Sequence, residues 1–252
     1  MGAFVIFDSA KQKIERANHH MADIEGQFAA FIASKPHRFV IERDDNTGTM
    51  SMRIELGKQL PGTFALIIGD AIHNLRCALD HVAWELADIG KGAKNRRTKF
   101  VISGSNRVDF EALCEAIETP SQWVKDAIKA TEAFPSGKGH DLFELNEFDN
   151  ADKHHVITPI LRGTTHPPFT IRTPQGGIIR MEGNVFIGGT DAVNIGLFPR
   201  GTIIDVHNNN QCAPGIFLRK ANGRLEPVNA LLWGLREAVM RAITSIEAAI
   251  PV

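Results

Sequence analysis

The sequence has no excess of charge, no paired cysteines, no long apolar run and no tyrosine. Its 28 Lys and Arg almost balance 29 Asp and Glu, leaving a net charge of −1. No global field draws in nucleic acid or an anionic membrane, which argues against a broad non-specific nucleic-acid binder and leaves only a local patch. Cys77, Cys114 and Cys212 are odd in number and widely spaced, with no C-x-x-C pair. That excludes a disulfide framework and fits buried thiols in a reducing cytoplasm. No stretch approaches the roughly 18 apolar residues that suggest a membrane span. The opening MGAFVIFDSAKQK lacks the basic leader and cleavage pattern of an export signal, so a cytoplasmic location without membrane attachment is expected. Tyrosine is missing although Phe occurs 15 times, and nothing in the sequence explains this. What remains, 43% hydrophobic and 23% charged over 252 residues, is an ordinary globular composition with ample core.

Apolar spacing sets the organisation. Between Ser9 and Ser34, Ile14, Met21, Ile24, Phe28 and Phe31 recur at helical intervals, and Lys35-Pro36 ends the run. RFVIERDDNTGTMSMRIEL then reads as a hairpin turning at Asp45, Asn46 and Gly48. Pro61 opens a long helix whose Ile68, Ile72, Leu75, Leu79, Val82, Leu86 and Ile89 form a seam fit for helix packing. KGAKNRR is a basic loop, and TKFVIS is expected as a short strand. Ser105 is expected to cap a helix through Ile117, Pro120 to start another through Phe134, and a further helix begins near His140. Beyond Pro159 come the β-rich runs FTIRT, GIIRM, NVFIG, TIIDVH and GIFLR, punctuated by Gly, Pro and Asn. From Pro227 the helical period returns in Val228, Leu231, Leu235, Val239, Ile243 and Ile246. The expected fold is α+β in one domain, residues 1–252. An antiparallel helical bundle (1–158 and 226–252) with an N-terminal β-hairpin carries an inserted antiparallel β-meander (159–225).

Two helices carry too many polar groups for their seams. In GDAIHNLRCALDHVAWEL, His73, Arg76 and Asp80 share an arc that Trp84 continues, while Asp70, Asn74, Cys77 and His81 form a second stripe. In the helix after His140, Asp149 and Asp152 occupy seam positions between Leu142, Leu145 and Val156, with Lys153 on the same side. Buried carboxylates need partners. Arg76, His73 and His81 are therefore expected to face Asp149 or Asp152 across the bundle. Such an arrangement is either a structural ion-pair network or a cleft in which cations hold an anion and a His moves a proton.

The pair of segments resembles a family of uncharacterised bacterial proteins sharing H-N-L-R-x-A-L-D-H and D-N-x-D-K-H. Here the patterns are met by His73, Asn74, Leu75, Arg76, Ala78, Leu79, Asp80 and His81, and by Asp149, Asn150, Asp152, Lys153 and His154. Arg76-Cys-Ala-Leu-Asp-His81 is also similar to the R-x4-H signature of the HEPN superfamily of bacterial toxins and antiviral ribonucleases. That resemblance implies metal-independent RNA cleavage of toxin or phage-defence type by a homodimer, Arg76 holding the scissile phosphate and His81 assisting proton transfer. From the same two polar segments, His73 and Asp80 are further catalytic candidates, and Asn74, Asp149, Asp152, Lys153 and His154 are candidate substrate contacts. No cofactor is implied.

Two alternatives belong to other classes. One is a non-catalytic binding or scaffold protein whose His/Arg/Asp network is structural. The other is a metal-dependent hydrolase using His73, His81, Asp149, Asp152 or His154. The two helices contain no H-x3-H or E-x2-H pair, so no metal is assigned. The adjacent pair His19-His20 reads as part of an exposed helix face. KGAKNRRTK supplies Lys91, Lys94, Arg96, Arg97 and Lys99, a solvated loop or a set of phosphate contacts for RNA. GGIIRMEGNVFIGG lacks the strand, loop and helix order of a nucleotide loop, and no G-x-S-x-G nucleophile motif occurs.

Overall fold

The computed structural model describes residues 6–163, 166–183, 192–207 and 214–251. Cys212 and the run NVFIG lie outside the described residues. The fold is α+β, with six helices and small antiparallel sheets among the described residues. The chain divides into two compact units: residues 1–24, 65–157 and 228–252 form one, and residues 25–64 and 158–227 the other.

The first unit is helical. It holds most of α1 (Asp8–Ala33) and α2 (Thr63–Ile89), then α3 (Arg107–Glu115), α4 (Gln122–Lys129), α5 (His140–His154) and α6 (Val228–Ala248). The seam of α2 is closed to solvent, with Ile68, Ile72, Leu75, Leu79, Val82 and Leu86 at most 1% exposed; only Ile89, at the end of the helix, opens to 39%. The period of α6 is likewise borne out, its Val228, Leu231, Leu235, Val239, Ile243 and Ile246 all buried. Polar ties between helices fix their directions. Ser9 and Lys13 of α1 reach Glu85 and Asn74 of α2, and Lys11 and Asn18 meet Glu247 and Arg236 of α6. His73 and Arg76 of α2 meet Asp149 and Asn146 of α5. In each pair one number rises as the other falls, so the neighbours are antiparallel.

Several boundaries differ from expectation for local reasons. Asn106, not Ser105, caps α3: its side chain accepts the Asp109 N–H at 3.1 Å. The fourth helix stops at Lys129, and residues 131–139 turn instead, with the Thr131 hydroxyl donating to the Ile128 carbonyl. Val156 lies beyond the end of α5 and is 63% exposed, so it is no part of a seam. TKFVIS pairs with no strand among the described residues; side chains of α2 take both backbone groups of its Phe100, as described below.

The second unit holds β1 (His37–Arg43), β2 (Met50–Leu56), β3 (Ile160–Gly163), β4 (His166–Arg172), β5 (Ile178–Gly183), β6 (Ala192–Phe198), β7 (Ile203–Val206), β8 (Pro214–Arg219) and β9 (Leu225–Pro227). The hairpin pairs from His37 with Leu56 to Arg43 with Met50. Gly48 turns it at φ +69°, a conformation that glycine adopts without Cβ strain. The strands form three sheets, ordered β1-β2-β6, β3-β8-β9 and β5-β4-β7. Among the described residues only β1–β2, β4–β5 and β8–β9 join sequence neighbours, so the topology there is more interleaved than a simple meander. The hairpin accordingly belongs with the strands rather than with the helices, since β2 also pairs with β6. Met52, Phe169 and Ile171 form the core of this unit with Phe198 and Ile204.

Candidate functional site

The polar residues of α2 go to three different neighbours. Arg76 is 7% exposed and bonded in three directions. Its Nε donates to Asn146 Oδ1 (3.2 Å), one terminal nitrogen to Asp80 Oδ1 (2.7 Å) and the other to the Phe100 carbonyl (3.3 Å). Asp80 Oδ1 in turn accepts the Phe100 N–H at 2.9 Å. Arg76 and Asp80 thus do for Phe100 what a neighbouring strand would do, satisfying both of its backbone groups while the ring is buried. Arg76 faces Asn146, not Asp149 or Asp152, and is a positioning residue enclosed by protein. The phosphate-binding role given to it by the R-x4-H resemblance is taken up by these internal acceptors.

His73 does meet Asp149. Its Nδ1 lies 2.8 Å from Asp149 Oδ1, and Lys153 Nζ donates to Oδ2 of the same carboxylate. Asp149 is 1% exposed while the side chains of His73 and Lys153 are about half exposed. The Cys77 Sγ sits 3.4 Å from His73 Nε2. Asp152 is set against Gly69, where an added Cβ would come within 2.6 Å of its Oδ1; the glycine leaves room for this carboxylate against α2. Asn74 donates to the Asp70 carbonyl and accepts from Lys13 at 3.5 Å. His154 is exposed at the end of α5 and has no side-chain partner among the described residues.

His81 turns the other way, to α1. Its Nδ1 lies 3.0 Å from Ser9 Oγ, Ser9 Oγ donates to Glu85 Oε1 (2.8 Å), and the Phe7 N–H donates to Glu85 Oε2 (2.9 Å). A serine has one proton to give. With that proton on Glu85, Nδ1–H of His81 donates to Ser9, and Nε2 of the neutral ring carries the lone pair. His81 lines an open pocket of about 420 Å³ with Ser9, Asp80, Trp84 and Thr98. Trp84 is 44% exposed, and the Lys94 ammonium stands 5.1 Å from its ring centroid while pairing with Asp88. Arg96, Arg97 and Lys99 of the same loop are exposed and have no side-chain partner among the described residues. Thr98 also lines a second, largely apolar pocket of about 410 Å³, with Arg97 and Lys99 beside Leu86, Val101, Leu113 and Val124.

Comparison with family models, with curated proteins and with solved structures yields no match. The site therefore rests on its own geometry. Among the described residues no group of three or more His, Cys, Asp or Glu side chains is arranged so that it could hold a metal ion. Among the described residues, no helix is long and apolar enough to cross a membrane. Sequence reasoning missed Ser9, Glu85, Asn146, Thr98 and the backbone of Phe100. Glu85 stands four residues after His81 and so on its side of the helix, which is a usable signal; the others are contacts between distant segments with none.

Proposed function

We propose that the chain is a metal-independent ribonuclease of HEPN-like, toxin or phage-defence type, in which His81 rather than Arg76 meets the substrate. The observation that carries this reading is the setting of His81: braced through Nδ1 by Ser9 and Glu85, it opens to a pocket shared with Trp84 and with Thr98, whose chain neighbours Arg97 and Lys99 have no side-chain partner among the described residues. A histidine so held is suited to general base work. Exposed aromatic rings and nearby cations suit single-stranded RNA, whose bases stack while its phosphates are neutralised. In the reaction Nε2 takes the proton of a 2′-hydroxyl, O2′ attacks the adjacent phosphorus, and the P–O5′ bond breaks. The products are a 2′,3′-cyclic phosphate and a 5′-hydroxyl protonated by water. Arg97 and Lys99 offset the charge gathering on the phosphoryl oxygens. Arg76 and Asp80 act indirectly, by fixing Phe100 and with it Thr98 and Lys99. This reading places the protein in the cytoplasm and, through the resemblance, in a homodimer.

The internal engagement of Arg76 favours a second reading, a non-catalytic RNA-binding or scaffold protein using the same surface. One experiment separates the two. A mixed RNA pool is incubated in EDTA with wild type, His81→Ala and the double variant Arg97→Ala/Lys99→Ala, with binding and the product termini both measured. The ribonuclease reading expects cyclic-phosphate ends from wild type, retained binding without cleavage for His81→Ala, and weaker binding with a salt slope lower by about 2 for the double variant. Binding without cleavage by wild type leaves the scaffold reading; absence of both overturns the RNA assignment.

A further inference from the structure

We propose that Cys77, His73 and Asp149 form a base-assisted thiol that exchanges with small anionic disulfides of the glutathione kind, a function separate from the RNA reading. His73 and Cys77 lie four residues apart on one face of α2, which brings Sγ to 3.4 Å from Nε2. The other ring nitrogen is held at 2.8 Å by Asp149, a carboxylate 1% exposed and braced by Lys153. Nucleophile, base and orienting acid follow one another through the correct atoms, as nucleophilic catalysis requires. Both Cys77 and His73 reach solvent.

The electrophile follows from what surrounds the sulfur. Cys77 lies in the middle of α2, whose backbone N–H groups are engaged within the helix. The helix around Cys77 therefore offers no free backbone N–H as an oxyanion hole, which disfavours acyl transfer. Thiol–disulfide exchange develops no oxyanion and needs only a thiolate and a reachable disulfide. The charged groups near the sulfur are Lys13 from α1, Lys153 and Asp149 from α5, and Asp80 on α2 itself. Lys153 is already paired with Asp149, but Lys13, whose side chain bonds to the neutral Asn74, favours a substrate that carries carboxylates. Burial, followed by the two carboxylates, raises the Cys77 thiol above its ordinary value against the pull of the lysines, so it is protonated near neutrality and depends on His73 for activation. Cys114, by contrast, is buried and pushed up to about 12 with no His beside it.

In the exchange, the Cys77 proton passes to His73 Nε2 as Sγ attacks one sulfur of the disulfide. The new S–S bond forms as the old one breaks, and the leaving thiolate takes the proton back from the imidazolium. Cys77 ends as a mixed disulfide, and half of the incoming disulfide ends as a thiol.

The test is incubation of the intact chain with oxidised glutathione from pH 6 to 9, with modification at each cysteine read by peptide mass spectrometry. Cys77 is expected to react at least tenfold faster than Cys114 at pH 7, with a rate that levels off below pH 9, as base assistance requires. His73→Gln, at a half-exposed position and checked by its melt, is expected to lower that rate at least tenfold and to restore a continuous rise with pH. An unchanged rate in His73→Gln, or a wild-type rate rising tenfold per pH unit through pH 9, would overturn the base-assisted thiol. Equal rates at low salt with uncharged hydroxyethyl disulfide would overturn the preference for anions.

Discussion

Removing Asp80 tests whether Arg76 and Asp80 hold Phe100, as their bonding implies. In Asp80→Ala the guanidinium of Arg76, in a residue 7% exposed, loses its counter-charge, and the Phe100 N–H loses its acceptor. Deleting one partner of a buried ion pair costs roughly 3–5 kcal/mol. The Asp80 side chain is 32% exposed, so water replaces part of what is lost and the lower end applies. The unmet amide costs about 1–3 kcal/mol by itself, but the two losses share one carboxylate and do not simply add. A total of about 4 kcal/mol is a large part of the 5–15 kcal/mol that holds a typical domain. Asp80→Asn keeps an oxygen that can accept from both the Arg76 guanidinium and the Phe100 N–H and loses only the charge, so it should cost less, about 1–2 kcal/mol. Urea denaturation gives the two values, and hydrogen exchange at the Phe100 amide gives the local opening. Asp80→Ala with a wild-type midpoint, or with the Phe100 amide exchanging as in wild type, would refute the clamp.

Two further perturbations address the contact of α2 with α5. Gly69→Ala gains about 1 kcal/mol of helix propensity but pushes a Cβ into Asp152, an overpacking cost of about 1–3 kcal/mol, so it should destabilise on balance. In an Asp152→Ala background the same change should stabilise, and a double-mutant cycle in urea that shows no reversal would contradict the close approach. At Asp149 the expectation is an asymmetry: Asp149→Asn releases His73 and Lys153, which are half exposed and regain water, for about 1–3 kcal/mol. The double variant His73→Leu/Lys153→Met instead strands the buried carboxylate and should cost roughly 3–5 kcal/mol; the reverse order of midpoints would place Asp149 at the surface.

Much of the fold was legible because period and burial coincide. The apolar residues of α2 and α6 recur at steps of three and four as a buried seam must, and both helices start just after a proline, Pro61 and Pro227. The hairpin was legible from its turn residues, and Asp149 as a buried, partnered carboxylate from its place in the α5 seam. Sequence patterns failed where a contact joins segments distant along the chain. Nothing local to TKFVIS says that Arg76 and Asp80 replace a partner strand, and nothing near Ser9 announces His81. The pairing of β2 with β6 and of β4 with β7 is equally non-local, which is why alternating runs read as a simple meander. Helical spacing did group the polar side chains by direction, but it assigned Arg76, His73 and His81 together to one partner helix.

That assignment is the point on which the chemistry turns. Had Arg76, His73 and His81 converged on Asp149 and Asp152, one network would have satisfied every charge and left no group to act on a ligand. The structure separates them instead. Arg76 and Asp80 are occupied by Phe100 and Asn146, and none of the three guanidinium nitrogens lacks a protein acceptor. His73 is oriented by α5 and His81 by α1, each through Nδ1. A ring fixed through one nitrogen has its other nitrogen available for proton transfer: at His73 it meets a thiol, and at His81 it is left for the open pocket. The buried ion pair fixes the loop, while the two histidines keep a reactive atom each. A helix that serves three neighbours needs a different polar group for each, and this accounts for the density of polar residues beside its apolar seam.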